Sequence, residues 1–300
     1  MTRVIKSLIV LAVLGSSVQA FPAVADTPPS VVIIDQPINT GLFKGSIATE
    51  ACFVKLIPCP NKQMTMEGLG AATLPSTVNV ASASHGTQMA SIILSINPSI
   101  KIIPIAVYGL SDKGNPGLAS LEEIKSALGW VIDNRVKYNI VAVSISQGKV
   151  LPNCDVPSGM VAQVATLKSF NVPVIAATGN DANRSAVNGP ACIDDVVSVG
   201  ATDNPDPGTQ KLTYDKTAKP YIARYSNGWN KVDFYANGRW YVKNADGTTK
   251  FMVGTSNATA SIAGLWSLNS GTFDSIYSKF TIGSTVATNE WLTGRYISIP

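Results

Sequence analysis

Histidine is nearly absent from this chain, which has one among its 300 residues. Charged residues are also scarce, at 14%, whereas hydrophobic residues make up 45%. That balance excludes an intrinsically disordered chain, which combines low hydrophobicity with high net charge. The net charge is +4, and it falls to +2 without Arg3 and Lys6 at the N-terminus. The sequence therefore lacks the basic field that binds nucleic acid.

The sequence also lacks an apolar run of the roughly 20 residues that cross a bilayer. Its N-terminus resembles a secretory signal, because two basic residues precede the short apolar run Ser7–Leu14. Small residues at alternate positions predict cleavage after Ala20 or after Ala25. We therefore predict a signal peptide over residues 1–25 and an exported protein, secreted or periplasmic, without a membrane anchor.

Cysteine occurs only four times, and the export prediction gives these residues an oxidising compartment. Cys52 and Cys59 lie close together beside two prolines, while Cys154 and Cys192 lie beside turn residues after successive strand candidates. Four cysteines allow three connectivities, of which we predict the pairs 52–59 and 154–192. Metal binding is the alternative, but neither a C-x-x-C motif nor a nearby histidine supports it.

Short β-branched runs alternate with helical patterns along the rest of the chain. Five near-continuous apolar runs are typical of strands buried on both faces, namely Val31–Ile34, Ile102–Val107, Val141–Ile145, Val172–Ala177 and Val196–Val199. Strands that alternate with helices favour a parallel sheet covered on both sides. We find no internal repeat and no long linker, so residues 26–300 are predicted to form one α/β domain.

Two stretches between these strands have helical periodicity. Ser120 and Glu123 have capping-box spacing and precede apolar residues that recur every three or four positions as far as Ile132. The second stretch repeats apolar residues at Met160, Val161, Val164, Leu167 and Phe170. Each pattern predicts a helix with one apolar face against the sheet.

Four polar residues stand out near the predicted ends of strands or starts of helices. Asp35 and Asn180 each come just after an apolar strand, His85 opens a helical stretch, and Ser256 lies among small residues. Chemistry in parallel sheets gathers at the carboxyl ends of the strands. Taken singly, each residue also fits a structural role, such as a turn aspartate, a packed histidine, a turn asparagine or a helix N-cap serine.

Together, the order Asp35, His85, Asn180, Ser256 resembles that of the subtilisin-like serine proteases, or subtilases. The matching motifs are the strand that ends at Asp35, His85-Gly86-Thr87, Gly179-Asn180 and Gly254-Thr255-Ser256. The resemblance runs from about Val31 to Gly264. It implies a three-layer subtilisin-like fold, a mostly parallel central sheet with helices on both faces. An α/β-hydrolase is excluded, because that fold orders its triad serine, acid, histidine.

The resemblance implies a serine endopeptidase that needs no cofactor for catalysis. Ser256 would attack the scissile carbonyl, His85 would take its proton, and Asp35 would orient the imidazole. Asn180 would stabilise the oxyanion together with the Ser256 backbone N–H. Bound metal is not expected at this site.

The resemblance also implies how a polypeptide substrate binds. An extended peptide would add as a strand between two bordering segments. One segment contains Ser144, Ile145 and Ser146, and the other contains Gly114 and Gly117. Structural calcium occurs in many relatives, but no loop here has a diagnostic ligand spacing. We therefore expect solvated turns at the acidic residues Asp194, Asp195, Asp203 and Asp206.

Three departures from the family pattern bear on the function and folding of the chain. Gln36-Pro37 replaces the Ser or Thr and Gly that usually follow the aspartate, and Ser146 stands where glycine is common. Gln36-Pro37 and the lack of a propeptide motivate the alternative function, a catalytically impaired relative that binds peptides or a partner protein. Asp35 also follows the predicted leader almost at once, without room for a propeptide. The domain is thus expected to fold unaided or with a separate chaperone or inhibitor chain.

Overall fold

The computed structural model describes residues 27–75, 83–111, 117, 119–203, 220–228, 231–289 and 291–298. The predicted leader and Gly114 lie outside these residues. The strands are β1 Ser30–Asp35, β2 Ala51–Phe53, β3 Thr65–Glu67, β4 Lys101–Ala106, β5 Ile140–Ile145, β6 Lys149–Val150, β7 Val174–Ala177, β8 Asn188–Gly189, β9 Val197–Asp203, β10 Tyr221–Ile222, β11 Phe234–Asn237, β12 Arg239–Lys243, β13 Thr249–Val253, β14 Thr285–Thr288 and β15 Thr293–Ile297. The α-helices are α1 His85–Ile96, α2 Leu121–Asn134, α3 Met160–Ser169, α4 Thr255–Ser267 and α5 Phe273–Ile282.

Within the described residues, eleven strands form one sheet in the order β10-β14-β15-β11-β9-β7-β5-β1-β4-β2-β3. In this sheet order, every pair of neighbouring strands between β15 and β2 is parallel. Antiparallel pairs lie toward the two ends, where β3 joins β2 and β14 joins β15. The predicted α/β fold with a mostly parallel central sheet is therefore confirmed.

Strand β1 shows how the layers form, because its side chains alternate between two cores. Val31 and Ile33 pack in the core that contains residues of α1, α4 and α5. Val32 and Ile34 pack in the core that contains residues of α2 and α3. All four side chains are buried. A strand buried on both faces reads as a continuous apolar run, which is the pattern that identified it.

The predicted helices form, with one error in their buried faces. Helix α2 has the predicted capping box between Ser120 and Glu123. Helix α3 buries Met160, Val164 and Leu167 but leaves Val161 52% exposed and Phe170 44% exposed. Including these two residues in the apolar face of α3 was wrong. Phe170 lies at the C-terminal end of α3, where the Arg135 guanidinium covers its ring at 3.5 Å.

The two disulfides are Cys52–Cys59 and Cys154–Cys192. The first closes a short loop that begins in β2. The second joins the segment after β6 to the segment after β8, two strands that pair with each other. This cross-link therefore ties the β6–β8 pair together beside the end of β5, where the candidate site lies.

Candidate active site

The carboxyl edge of the sheet collects the polar residues that follow its central strands. Asp35 ends β1, and Tyr108 and Gln147 come two residues after β4 and β5 end. Asn180 comes three residues after β7 ends, and these strands are adjacent to one another in the sheet. Helices α1 and α4 supply His85 and Ser256 from their first turns. The edge thus assembles residues from six elements of structure.

Asp35 is completely buried and is surrounded by hydrogen-bond donors. His85 Nδ1 lies 2.8 Å from its Oδ1 and 2.9 Å from its Oδ2. The Gln36 backbone N–H donates to Oδ1 at 2.7 Å, and Gln147 Nε2 donates to the same oxygen at 3.0 Å. A buried carboxylate without such partners would carry a large desolvation cost. The burial of Asp35 is therefore compensated by these donors.

His85 is the first residue of α1, and its side chain is 24% exposed. Its backbone N–H donates to Gln36 Oε1 at 3.3 Å, which anchors the helix start to the end of β1. Gly86 permits this approach, since a Cβ there would lie 2.3 Å from the Gln36 carbonyl oxygen. Burial lowers the pKa of His85, but the charge and hydrogen bond of Asp35 outweigh it and raise the pKa above 6.5.

Ser256 is the second residue of α4 and is buried. Its hydroxyl donates to the Ser146 carbonyl oxygen at 3.3 Å, and the Ser146 hydroxyl donates to the Ser256 carbonyl oxygen at 3.3 Å. The structure thus turns the hydroxyl toward the end of β5 rather than toward the imidazole. Ser256 and His85 nevertheless line the same cavity, of about 620 Å³.

Asn180 lies across this cavity with its amide oxygen already engaged. Oδ1 accepts from the Thr255 backbone N–H at 2.9 Å and from the Thr255 hydroxyl at 3.0 Å. The Asn180 side chain therefore caps the start of α4. Because the oxygen faces Thr255, the NH₂ group remains as the donor available to the cavity that Asn180 lines.

The loop that carries Asn180 is held by Asn227, which is fully buried. Asn227 Oδ1 accepts from the backbone N–H groups of Asp181 and Asn183, each at 2.9 Å. Its Nδ2 donates to the Thr178 carbonyl oxygen at 3.0 Å. Gly179 has φ +105°, and a Cβ there would lie 2.4 Å from Asn227 Nδ2. The Gly179-Asn180 motif thus reflects a backbone that only glycine fits closely.

The predicted substrate-binding residues are placed differently from one another. Ser144 and Ile145 lie within β5 and pair with β1 and β7, whereas Ser146 follows the strand and lines the cavity. The Gly117 backbone N–H donates to the Gly109 carbonyl oxygen at 2.8 Å. Gly114 lies outside the described residues. The peptide-pairing role of these segments stays a prediction.

Sequence reasoning missed Gln147 and Tyr108. Gln147 Nε2 contacts both Asp35 and His85, and Gln147 Oε1 accepts from the Tyr108 hydroxyl at 2.5 Å. Both residues follow apolar strands, which is the same signal that drew attention to Asp35 and Asn180. Applied to β4 and β5, that signal would have found them.

Three of the acidic residues considered for calcium form ion pairs, and two of them, Asp194 and Asp195, lie in a solvent-exposed turn as expected. Asp195 pairs with Lys168 at 2.7 Å, and Asp203 pairs with Arg239 at 2.8 Å. Asp194 pairs with Lys231. Asp206 lies outside the described part of the chain. Among the residues that the structure describes, no group of three or more His, Cys, Asp or Glu side chains is arranged to hold a metal ion.

The fold is that of an α/β protein whose sheet edge brings an Asp–His pair, a serine and an asparagine to one place. The chain matches the peptidase S8 model, described as the subtilase family, over residues 29–288. It therefore belongs to the subtilase family, and the resemblance inferred from its motifs is confirmed.

Two curated relatives show how far the sequence of this chain differs from those of other family members. The alkaline elastase YaB of Bacillus sp. (strain YaB) is 30% identical over 139 residues, which are 45% of this chain and 34% of the relative. The extracellular serine proteinase of Thermus sp. (strain Rt41A) is 25% identical over 191 residues, which are 60% of this chain and 39% of the relative. The chain thus spans well under half the length of either protein.

A solved structure, that of a cold-adapted subtilisin-like serine proteinase, is similar to this fold with a TM-score of 0.64. The two share 19% sequence identity, and the match covers 91% of this chain and 89% of the other. At this identity the likeness concerns the fold. It confirms the predicted three-layer subtilisin-like architecture.

Proposed function

We propose that this chain is an exported serine endopeptidase that hydrolyses peptide bonds with Asp35, His85, Ser256 and Asn180. The observation that carries the proposal is the hydrogen bond between Asp35 and His85 beside a cavity that Ser256 and Asn180 also line. Membership of the subtilase family supports the same reaction class. No cofactor has a role in this chemistry.

The hydrogen bond to Asp35 selects the tautomer that the reaction needs. With the proton on Nδ1, facing the carboxylate, Nε2 of His85 is the basic nitrogen. The Ser256 hydroxyl turns about its Cα–Cβ bond, from the Ser146 carbonyl toward Nε2. As Oγ bonds to the scissile carbonyl carbon, its proton passes to Nε2, and Asp35 stabilises the imidazolium that forms.

The tetrahedral intermediate carries its negative charge on the former carbonyl oxygen. Asn180 Nδ2 and the Ser256 backbone N–H donate to that oxygen, and the N-terminus of α4 adds its positive dipole. The imidazolium then gives its proton to the leaving amine as the C–N bond breaks, which leaves an acyl group on Ser256. A water molecule repeats the sequence, with His85 again as base, and releases the acid.

The substrate is proposed to be an extended polypeptide whose main chain pairs beside the segment that ends at Ser146. The position of Ser146 on the lining of the cavity supports this proposal. The opposite border, around Gly114 and Gly117, remains part of the proposal. The chemistry of the loops that line the cavity then decides which side chain precedes the cleaved bond.

Export is proposed from the predicted leader, from the two disulfides and from the relatives, one of which is named an extracellular proteinase. Among the described residues, no helix combines the length and hydropathy that a bilayer crossing requires. The proposed destination is the periplasm or the medium. The need for a separate folding chain stays a prediction.

The test is digestion of a mixed peptide library by the purified protein, with the cut sites identified by mass spectrometry. We expect cleavage at many sites, and a roughly 10⁶-fold loss of kcat in Ser256→Ala. The matched control is Ser261→Ala in the same helix, where the hydroxyl bonds only to the Ala258 carbonyl oxygen at 2.7 Å. That variant should cleave as the wild type does.

The alternative function, a peptide- or partner-binding module, has one observation in its favour. The Ser256 hydroxyl is hydrogen-bonded to Ser146 rather than to His85. A folded protein that retains library peptides without cutting them would establish this alternative and would overturn the endopeptidase proposal. Cleavage that survives in Ser256→Ala would overturn the assignment of the nucleophile.

A further inference from the structure

Gln147 touches both members of the Asp35–His85 pair with a single amide group. Its Nε2 lies 3.0 Å from Asp35 Oδ1 and 3.1 Å from His85 Nδ1. On its other side, its Oε1 accepts from the Tyr108 hydroxyl at 2.5 Å. The side chain therefore bridges the end of β4 to the acid–base pair.

The chemistry of its neighbours fixes which way this amide points. Burial raises the pKa of Tyr108, and the charge of Asp35 raises it further, so the phenol keeps its proton and acts as the donor. The phenol donates to Gln147 Oε1, although a phenol oxygen can also accept. A carboxylate accepts only, so the NH₂ group is the end that suits Asp35. The carboxylate therefore fixes the orientation, because the reverse one would bring the amide oxygen against Asp35, where neither group can donate.

Gln147 supplies a side-chain donor that Gln36 does not. The Gln36 side-chain oxygen is committed to the His85 backbone N–H, and only the Gln36 backbone donates to Asp35. Among the described residues, the side chains that donate to the Asp35 carboxylate are those of His85 and Gln147. Without Gln147, the Asp35 carboxylate would keep the His85 ring as its one side-chain donor among the described residues, together with the Gln36 backbone N–H.

We propose that Gln147 is a positioning residue for the Asp35–His85 pair. Clamped by Tyr108, its amide holds the buried carboxylate in the plane where it meets the imidazole. The inference deepens the proposed endopeptidase function, because a fixed carboxylate keeps His85 oriented for Ser256. A carboxylate held by several donors also has less freedom to rotate away from the ring.

The same contact has an electrostatic consequence that a purely structural residue would lack. The positive end of the Gln147 amide dipole faces His85 Nδ1 and therefore disfavours a positive charge on the ring. The same amide donates to Asp35, which weakens the attraction between the carboxylate and the imidazolium. The other titratable groups around His85 are Tyr108 beyond Gln147, and Lys149 and Asp181 on the lining of the cavity. Removal of the amide leaves these groups in place and should therefore raise the pKa of His85.

The test uses the fact that the chain has one histidine, so an untagged protein has one imidazole to titrate. Nitrogen-15 NMR titration is carried out on a Ser256→Ala background, which prevents self-digestion. We expect Gln147→Met to raise the pKa of His85 by several tenths of a unit. Gln147→Glu, which adds a carboxylate beside the ring, should raise it by about one unit.

Two further variants make the test specific. Gln63→Glu makes the same chemical change at an exposed position in the loop between β2 and β3, and it should leave the titration unchanged. Tyr108→Phe releases the clamp, and it should shift the titration in the same direction as Gln147→Met by a smaller amount. With Ser256 intact, Gln147→Met should lower kcat about tenfold.

The proposal would be overturned if His85 titrated identically in the Ser256→Ala protein and in the same protein with Gln147→Met or Tyr108→Phe. A shift in Gln147→Glu alone would overturn it as well, because an added charge would then explain the effect without any positioning. The failure of the endopeptidase function would be seen separately, as a lack of peptide cleavage by the wild type. The titration requires no catalysis and would still decide the role of Gln147.

Discussion

The two halves of the candidate site differ in how completely they are built. On one side, Asp35 receives hydrogen bonds from His85, Gln36 and Gln147, and the imidazole is held at the start of α1. On the other side, the Ser256 hydroxyl makes a 3.3 Å hydrogen bond to a backbone carbonyl. The Asp35–His85 pair is thus assembled in advance, whereas the hydroxyl of Ser256, the proposed nucleophile, is turned aside.

The difference indicates where reorganisation would be needed during the reaction. A neutral hydrogen bond contributes only about 1 kcal/mol net, so releasing the hydroxyl from Ser146 is inexpensive. Breaking the contacts of a buried carboxylate would cost several times more. The proposed reaction thus requires only the Ser256 hydroxyl to move, while the buried carboxylate keeps its contacts.

The largest effect on activity is expected from the half of the site that contains Asp35 and His85. Asp35→Asn presents an amide to His85 and favours the wrong imidazole tautomer, which should lower kcat about 10⁴-fold. The matched control is Asp195→Asn, which removes a carboxylate paired with Lys168 away from the cavity. Steady-state kinetics on a cleaved peptide measures both variants. A loss below tenfold in Asp35→Asn would show that the carboxylate does not orient the base.

A smaller effect is expected from the half that contains Asn180. Asn180→Asp keeps the oxygen that accepts from Thr255 but loses the NH₂ donor. It should lower kcat by roughly 10²–10³-fold while the protein remains as stable as the wild type. Asn180→Ala should lose the same activity and also about 1 kcal/mol of unfolding free energy, because α4 loses its cap.

Kinetics together with urea unfolding separates these two roles of Asn180. Equal activity in the wild type and Asn180→Asp would contradict the oxyanion assignment. Equal stability of the two Asn180 variants would contradict the cap.

The smallest effect concerns the contribution of the Asp35–His85 pair to the pH dependence of the protein's stability. Because the pKa of His85 is raised in the folded state, its interaction with Asp35 stabilises the protein fully below pH 6.5. This contribution is lost as pH rises through the folded-state pKa. On the Ser256→Ala background, urea unfolding should therefore show that the free energy of unfolding falls from pH 5.5 to pH 8.5. This fall should be larger than in the same protein with His85→Gln. An equal fall in the two proteins would mean that Asp35 does not stabilise the imidazolium of His85.

The order of elements and the site's position could be predicted from the sequence because both follow from local patterns. Apolar runs identify strands buried on two faces, and polar residues at their ends identify the functional edge. The error at Val161 and Phe170 arose because periodicity shows which residues could face the sheet, whereas the helix's docking angle decides which do. Gln147 carries the same signal as Asp35, a polar residue just after an apolar strand, but its contact with Asp35, 112 residues away, depends on the adjacency of β1 and β5 in the sheet.

The central claim is that His85, held by Asp35, activates Ser256. It is tested most directly by the rate at which a fluorophosphonate labels the protein as a function of pH. We predict one adduct, on Ser256, with a rate that falls as pH decreases through a single ionisation above pH 6.5 and that collapses in His85→Gln. Folded protein that gains no adduct, or a labelling rate that does not depend on His85, would contradict the account.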